Sequence, residues 1–308
     1  MNDPLSDILD LIGVKSSVYF QKEFLAPWCM SVSNTGFAQF HIIVRGNAVV
    51  MQGDTTLQVS AGDIVLFPNG ASHKIGDAPD STPMPGEEVI ESMAKGVEPF
   101  KVGGVATRMI CGHFEYDFGC THPLLEELPK MILLGAAELP EMDHLFGLLQ
   151  LIIRESANNA PGSSVVVRRL SDSLLVTILR GYFEQQKSHI GFHRGLADKR
   201  ISRAISAIHS DNGNHYSVDE LATLAGMSRS SFLQHFKTLM GQSAGAYATC
   251  WKLLKARSSL SETNASVESI AFAAGYNSAT AFSRAFHSHF DETPTQYRAK
   301  EKAQNLAS

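Results

Sequence analysis

Ser217–Gly226 reads SVDELATLAG, and Ser266–Gly275 reads SVESIAFAAG. The stretches lie 49 residues apart and share a Ser, a Val, two Ala positions and the closing Gly. Downstream the offset becomes 50, because GYNSATAF carries one residue more than GMSRSSF. Phe232 then matches Phe282, Phe236 matches Phe286, and Tyr247 matches Tyr297. Self-similarity at a fixed period marks a repeated supersecondary unit. This one spans about residues 218–239 and again 267–290.

Each copy has the chemistry of a helix-turn-helix. Ser217 and Ser266 are N-cap residues for a first helix, and Glu220 completes a capping box with Ser217. Leu221, Leu224 and Ala225, and likewise Ile270 and Ala274, form an apolar stripe. Ala222 and Ala271 are small where two helices cross. Gly226 and Gly275 supply the tight turn, where positive φ is tolerated. Ser228 and Asn277 then cap a second helix. That helix directs Phe232 and Phe236 inward and Ser228, Arg229, Ser230, Ser231, Gln234 and His235 outward. In the second copy Phe282 and Phe286 face inward, and Ser278, Ala279, Thr280, Ser283, Arg284 and His287 outward. Arg pairs bidentately with guanine, Gln reads adenine, and Ser or Thr serves bases or phosphates in the major groove. A helical bundle with a polar solvent face would also carry one such pattern; its duplication favours double-stranded DNA as the partner.

The wider chain is consistent with this. Residues 196–308 hold 12 Lys+Arg against 9 Asp+Glu, a net of +3, and the other 14 Lys+Arg and 22 Asp+Glu leave the rest at −8. A mildly basic appendage on an acidic body suits nucleic-acid binding. The 308 residues allow two or three domains, and 44% hydrophobic with 19% charged residues fits an ordinary globular core. No apolar run is long enough for a membrane span, and MNDPLSDILDLIG lacks a basic start before its apolar residues. A cytoplasmic protein is expected. Cys29, Cys111, Cys120 and Cys250 are too scattered for a disulfide framework.

Residues 1–125 read as a β-rich domain. Gln39–Met51, Thr56–Val59 and Asp63–Phe67 are short β-branched or aromatic runs parted by Gly53-Asp54 and Gly62-Asp63. Asp77–Gly96 reads as a long loop, and Gly103–Asp117 as strand again. From His122 the period turns helical, with helices over Met142–Ser156 and Val165–Gln186 and a linker at Ser188–Leu196. The expected architecture is multidomain α and β. It has an N-terminal barrel, a helical linker and dimerisation region over 126–195, and an all-α pair of helix-turn-helix units over 196–300.

The C-terminal residues resemble the AraC/XylS family of transcription regulators. Asp198–Ile201 with Ala204, Ala207, Ile208 and His209 is similar to that family's opening helix. Tyr247, Lys252, Leu253, Ala256 and Leu260 resemble its linker helix. Ile270, Ala271, Gly275, Tyr276, Ser278, Phe282–Phe286, Thr293, Pro294, Tyr297 and Arg298 resemble its signature. Ala244 stands where the family has Pro, Lys252 where it has Arg, His287 where Lys or Arg is common and Asp291 where Gly is common. The last three bear on phosphate contacts and helix ends, not on the fold. The resemblance implies two recognition helices in successive major-groove faces about 34 Å apart. It also implies activation through RNA polymerase, and dimerisation through the helices of the middle region.

Gly62–His73 resembles the second cupin motif: Gly62, five residues, Pro68-Asn69-Gly70, two residues, His73. Phe40–Gly46 resembles the strand that closes the first, whose usual His-x-His and Glu are missing; Gln39 stands near the Glu position. The resemblance implies a cupin-like sensor barrel for a small-molecule effector. A second reading starts from Cys111 and His113, which at i, i+2 share one strand face. With His41 and His73 they make N/S donors for Zn or another divalent metal. Cys111-Gly112 also resembles redox-sensing relatives, in which Cys111 would meet an oxidant through an exposed, acidic thiol.

The leading expectation is an activating regulator with no enzyme activity. Its competitors are a cupin metalloenzyme with a DNA-binding tail, a redox- or metal-sensing repressor, and a helical adaptor that binds no DNA.

Overall fold

The structure is a computed structural model that describes residues 3–12, 15–100, 103–115, 122–135, 142–158, 160–185, 191–210 and 216–307. Cys120 and the linker residues 188–190 lie outside the described residues. The chain forms two compact units that interleave along the sequence: Val14–Phe118 with Leu128–Gln186, and Met1–Gly13 with Gly119–Glu127 and Lys187–Ser308.

The first of these is the cupin unit. Its strands are β1 (Lys15–Leu25), β2 (Cys29–Val32), β3 (Ala38–Arg45), β4 (Asn47–Gln52), β5 (Thr55–Ser60), β6 (Ile64–Phe67), β7 (His73–Gly76), β8 (Met84–Pro85), β9 (Ala106–Glu115) and β10 (Ile132–Leu134). They make two five-stranded sheets, ordered β1-β9-β3-β6-β10 and β5-β4-β7-β2-β8. Phe24, Trp28, Ile43, Val50, Phe67 and Met109 fill a core cluster shared by both sheets. Burying each large apolar side chain contributes about 1.5–3 kcal/mol.

Three segments of this unit depart from expectation. The loop read over Asp77–Gly96 contains helix α2 (Gly86–Ala94). Its acids Glu87 and Glu88 sit in the first turn, where the helix dipole favours them, and Val89 is its buried anchor. Ile132–Leu134, expected in a helical region, pairs instead with β6. Helices α4 (Met142–Asn158) and α5 (Ser163–Gln185), read as a separate linker region, belong to the same compact unit as the barrel. Ser16 ties β1 to α5, donating its hydroxyl to the Arg168 carbonyl at 2.7 Å, with Asp172 Oδ1 at 2.8 Å.

The other unit is helical among its described residues. It holds α1 (Pro4–Ile12), α3 (Pro123–Glu126), α6 (Phe192–Ala197), α7 (Lys199–His209), α8 (Val218–Leu224), α9 (Arg229–Met240), α10 (Ala244–Glu262), α11 (Val267–Ala273), α12 (Ala279–Phe290) and α13 (Pro294–Ala307). Helix α10 is the spine, packing on α7 and α9 along one part and on α11, α12 and α13 along another. Two elements were not expected here. Residues 4–12, read within a β-rich domain, form an amphipathic helix with Pro4, Ile8 and Ile12 buried. Residues 192–197, read as linker, form α6, whose first amide donates to Glu127 Oε1.

Candidate nucleic-acid interface and sensor site

The two reading helices are set by matching local devices. Ser217 and Glu220 form the expected capping box on α8, and Ser266 caps α11. Gly226 and Gly275 make the turns at φ 66° and 81°, a left-handed region that a Cβ disfavours. Ser228 Oγ accepts from the Ser231 amide at 3.3 Å, and Ser278 Oγ from the Ala281 amide at 3.2 Å. The expected cap at Asn277 is therefore corrected to Ser278. Both residue types cap well, and the extra residue of the second copy falls before the cap rather than after it. Beneath the helices Phe232, Phe236, Phe282 and Phe286 are fully buried. Leu224, expected in the apolar stripe, is exposed instead, because Leu221 and Ala225 already cover that face.

Most of the expected readers face solvent. Arg229, Ser230, Ser231 and Gln234 are exposed on α9, and Thr280, Arg284 and His287 on α12; Ser228 and Ser278 are exposed at the caps. Arg229 Nε lies 3.6 Å from Asp219 Oδ1, with both side chains mostly exposed. Such a contact is worth about 0–1 kcal/mol and leaves Arg229 available to a base or phosphate. Ala279 and Ser283 are half-buried.

His235 has a different role. Its Nε2 donates to Asp198 Oδ2 at 2.8 Å. Asp198 in turn caps α7, accepting from the amides of Arg200 at 2.9 Å and Ile201 at 3.1 Å. Partial burial pushes the Asp198 carboxyl up, but hydrogen bonds from His235, the two amides and the Arg200 guanidinium outweigh it and hold it at about 2. His235 thus fastens α9 to α7. Lys237 was not among the expected residues: it is exposed on α9, and the 50-residue offset makes it the counterpart of His287.

Behind α9, Tyr247 anchors a buried polar chain. The Leu124 amide donates to His122 Nδ1 at 3.1 Å, so His122 carries its proton on Nε2, 3.4 Å from Tyr247 Oη. Tyr247 Oη then donates to His209 Nε2 at 2.6 Å, leaving the His209 proton on Nδ1, 3.4 Å from Asp7 Oδ2. The His209 ring stacks on Trp251 at 3.6 Å. Burial depresses His122 to about 3; burial, then His122 and Lys255, depress His209 to about 3. His209 is therefore neutral at pH 7, and its approach to Asp7 is not an ion pair.

In the barrel, three of the four expected pocket residues come together. His41 Nδ1 lies 2.9 Å from Cys111 Sγ, and His41 Nε2 lies 2.7 Å from His73 Nε2. His73 Nδ1 lies 2.8 Å from the Ala71 carbonyl, and its ring stacks on Phe67 with centroids 3.6 Å apart. His113 stands apart, with its Nε2 2.9 Å from Glu115 Oε1. His41 divides its two nitrogens between two neighbours, so the donors form a line rather than converging on one point. Among the described residues no group of three or more His, Cys, Asp or Glu is arranged to hold a metal ion. The polar depression of about 460 Å³ among Pro27, Asp77, Ala78, Asp80, Ser81 and Thr82 is lined by none of the four. Cys111 is buried rather than exposed, and burial raises its thiol well above the ordinary range. The expected exposed, acidic thiol is corrected accordingly. Gly112 has a packing reason: a Cβ there would meet the Ser17 carbonyl and the Phe40 ring.

A cupin family model, described as "Cupin", matches residues 3–184, and a helix-turn-helix domain model matches residues 221–300. The HTH-type transcriptional regulator MtrA of Neisseria gonorrhoeae is 31% identical over 84% of this chain and 85% of its own length. The chain belongs to the AraC-type transcription regulators with an N-terminal cupin domain. An uncharacterized HTH-type transcriptional regulator of Haemophilus influenzae is 28% identical over 96% of the chain and 98% of its own. The solved DNA-binding domain of AdpA in complex with a target DNA is 25% identical over 36% of this chain and 99% of its own, at a TM-score of 0.33. As an AraC-type regulator the chain binds DNA and regulates transcription. No helix among its described residues is long and apolar enough to cross a membrane.

Proposed function

We propose that this regulator is a cytoplasmic activator without enzyme activity, which reads duplex DNA through the major groove in response to a small molecule received by the cupin unit. The carrying observation is the duplicated pair of capped, exposed helix faces, Arg229–Gln234 and Thr280–His287. Contact with RNA polymerase is supported by apolar side chains left outside the reading helices, Leu224 at 42% and Phe272 at 53% exposure. Pairing of two copies is supported by exposed Leu151, Val165 and Val166 on the α4–α5 hairpin. Transmission is supported by connectivity. Lys15, which begins β1, and Glu115, which ends β9, are register partners. The chain beyond each of them leads into α1 and α3, in the DNA-binding unit.

The test is a footprint of the purified protein on its selected operator. Arg229→Ala and Arg284→Ala should each weaken specific binding by about 1–3 kcal/mol, with unchanged folding. Unchanged footprints in both variants reject these residues as base readers. The extent of protection reads the stoichiometry, since a dimer doubles the length covered by one copy.

A further inference from the structure

A helix in the major groove has a wall on either side. The groove is about 12 Å wide and a helix with its side chains about 10–12 Å across, so the flanks of a reading helix face the sugar-phosphate backbones. Successive side chains turn by about 100°. His235 and Lys237, one residue either side of the buried Phe236, therefore lie on opposite flanks of α9. Lys237 gives one flank an exposed cation of its own. On the other flank the cation comes from α7.

Arg200 stands there. Its Nη2 lies 3.1 Å from His235 Nε2 and 3.5 Å from Asp198 Oδ2. His235 Nε2 already carries the proton that it donates to Asp198, so it has no lone pair for a guanidinium. What holds Arg200 is one long contact with a carboxylate, and its side chain is 51% exposed. Asp198 is less exposed, at 21%, and its oxygens are taken by His235 and by the amides of Arg200 and Ile201. The cation is thus the outer member of the pair. A guanidinium offers five N–H donors in a planar fork that matches a phosphate. Arg203, three residues on and on the same face of α7, is exposed as well.

The second copy is the internal contrast. With the 50-residue offset Ala285 takes the place of His235, and it packs on the core of its own copy. An alanine satisfies the packing at this position and leaves that flank of α12 with no polar group to hold a neighbouring cation. The Asp198–His235 bond and the arginine beside it add charge where the flank of the first copy would meet DNA.

We propose that Arg200 is a DNA-contacting residue that grips a backbone phosphate beside the bases faced by α9, with the Asp198–His235 bond holding α7 and α9 at the spacing this needs. The assignment rests on reading α9 as a helix that enters the major groove. Such a contact carries no sequence information; it fixes how the reading helix is set on the duplex.

The test measures binding of the full-length protein to a duplex that it selects from a random pool, and to a scrambled duplex, between about 50 and 200 mM salt. Arg200→Gln removes the charge and keeps an amide donor for Asp198. It should weaken both complexes alike, by about three- to tenfold near 0.1 M salt, and make the plot of log K against log salt shallower by about 1. The melting temperature should stay at that of wild type. Arg200→Lys should restore the slope, because a lysine still meets a phosphate as a point charge. An unchanged slope in Arg200→Gln overturns the proposal. So does a loss confined to the selected duplex, which makes Arg200 a base reader, or a slope that Arg200→Lys does not restore, which makes its role structural. Arg229→Ala separates this contact from base reading by α9. If that variant binds the selected duplex like wild type while Arg200→Gln has the shallower slope, the base reading fails and the backbone contact stands.

Discussion

Tyr247 and Tyr297 hold equivalent places in the two helix-turn-helix copies and keep different company. Both are buried behind a reading helix, against Phe236 in one copy and Phe286 in the other. Tyr247 bonds His209 and approaches His122, which brings residues from α7 and from the segment before α3 into the first core. Tyr297 instead packs beneath the Arg257 guanidinium, 4.6 Å away, which also lies 4.9 Å from the Phe290 ring. Arg298 closes that side by donating to the carbonyls of Leu260 and Ala265. The second copy is thus plugged by residues of its own stretch of chain. The first is completed by α1 and residues 122–127, which flank the barrel strands in sequence. A repeat that keeps its caps, turns and phenylalanines while exchanging its polar plug has separated two tasks. Both copies expose a capped helix, and only the first is completed by segments that flank the barrel strands in sequence.

The strongest way to break this comparison is to charge the helix that completes the first copy. Ile8 is fully buried in α1. Ile8→Asp should destabilise the unit by on the order of 3–5 kcal/mol, the cost of an unpaired buried charge. Hydrogen exchange should rise across α7 and α9 and stay near wild type across α11 and α12. Equal loss in both copies would mean that they unfold as one block.

Acid tests the same asymmetry without a mutation. His122 and His209 fall from an ordinary 6.5 to about 3 in the folded protein. Between those values the unfolded chain binds more protons than the folded one, so stability falls as the pH drops. Going from pH 7 to pH 5 should cost about 2 kcal/mol for each of these histidines. His41 and His73 are lowered by burial in the same direction, so the barrel should weaken too. In the second copy Arg257, not a histidine, lies over the buried tyrosine. The exchange protection of that copy should survive at pH 5 while that of α7 and α9 declines. Protection falling together in α9 and α12 would remove the distinction.

What was legible in the sequence follows the range of the forces involved. The repeat, its turns, its inward phenylalanines and all its caps but one are local patterns that sit where the spacing requires; the exception is the second reading helix, capped by Ser278 and not Asn277. The strands around Gly53 and Gly62 were likewise marked by turn chemistry. Long-range partners were not. Nothing in PLSDILDLI announces that it completes a core built from residues more than 190 positions away, and nothing near His235 points to Asp198. Helix α2 was hidden because Pro85, Gly86 and acids look like loop when only Val89 is strongly buried. In the barrel His41 was readable from its strand, His73 from the turn that resembles a cupin motif and Cys111 from strand alternation, which wrongly added His113. That His41 spends both nitrogens, so that the cluster is a line, is a matter of ring orientation that spacing does not encode. Lys237 could have been found by applying the 50-residue offset to His287.

The smallest test concerns how the reading helices end. Helix α9 terminates at Gly241 with φ 72°, and α12 terminates at Asp291 with φ 55°. Both residues adopt the left-handed conformation, which an L side chain pays for and glycine does not. Asp291 also places a carboxylate at a helix C-terminus, where the dipole disfavours negative charge. Asp291→Gly should therefore stabilise the second copy by about 0.5–1 kcal/mol, and Gly241→Asp should destabilise the first by about the same amount. Denaturant midpoints of the two variants should move in opposite directions from wild type. If Asp291→Gly lowers stability instead, the aspartate makes a compensating contact, and the two helix ends, like the two tyrosines, have diverged in purpose as well as in sequence.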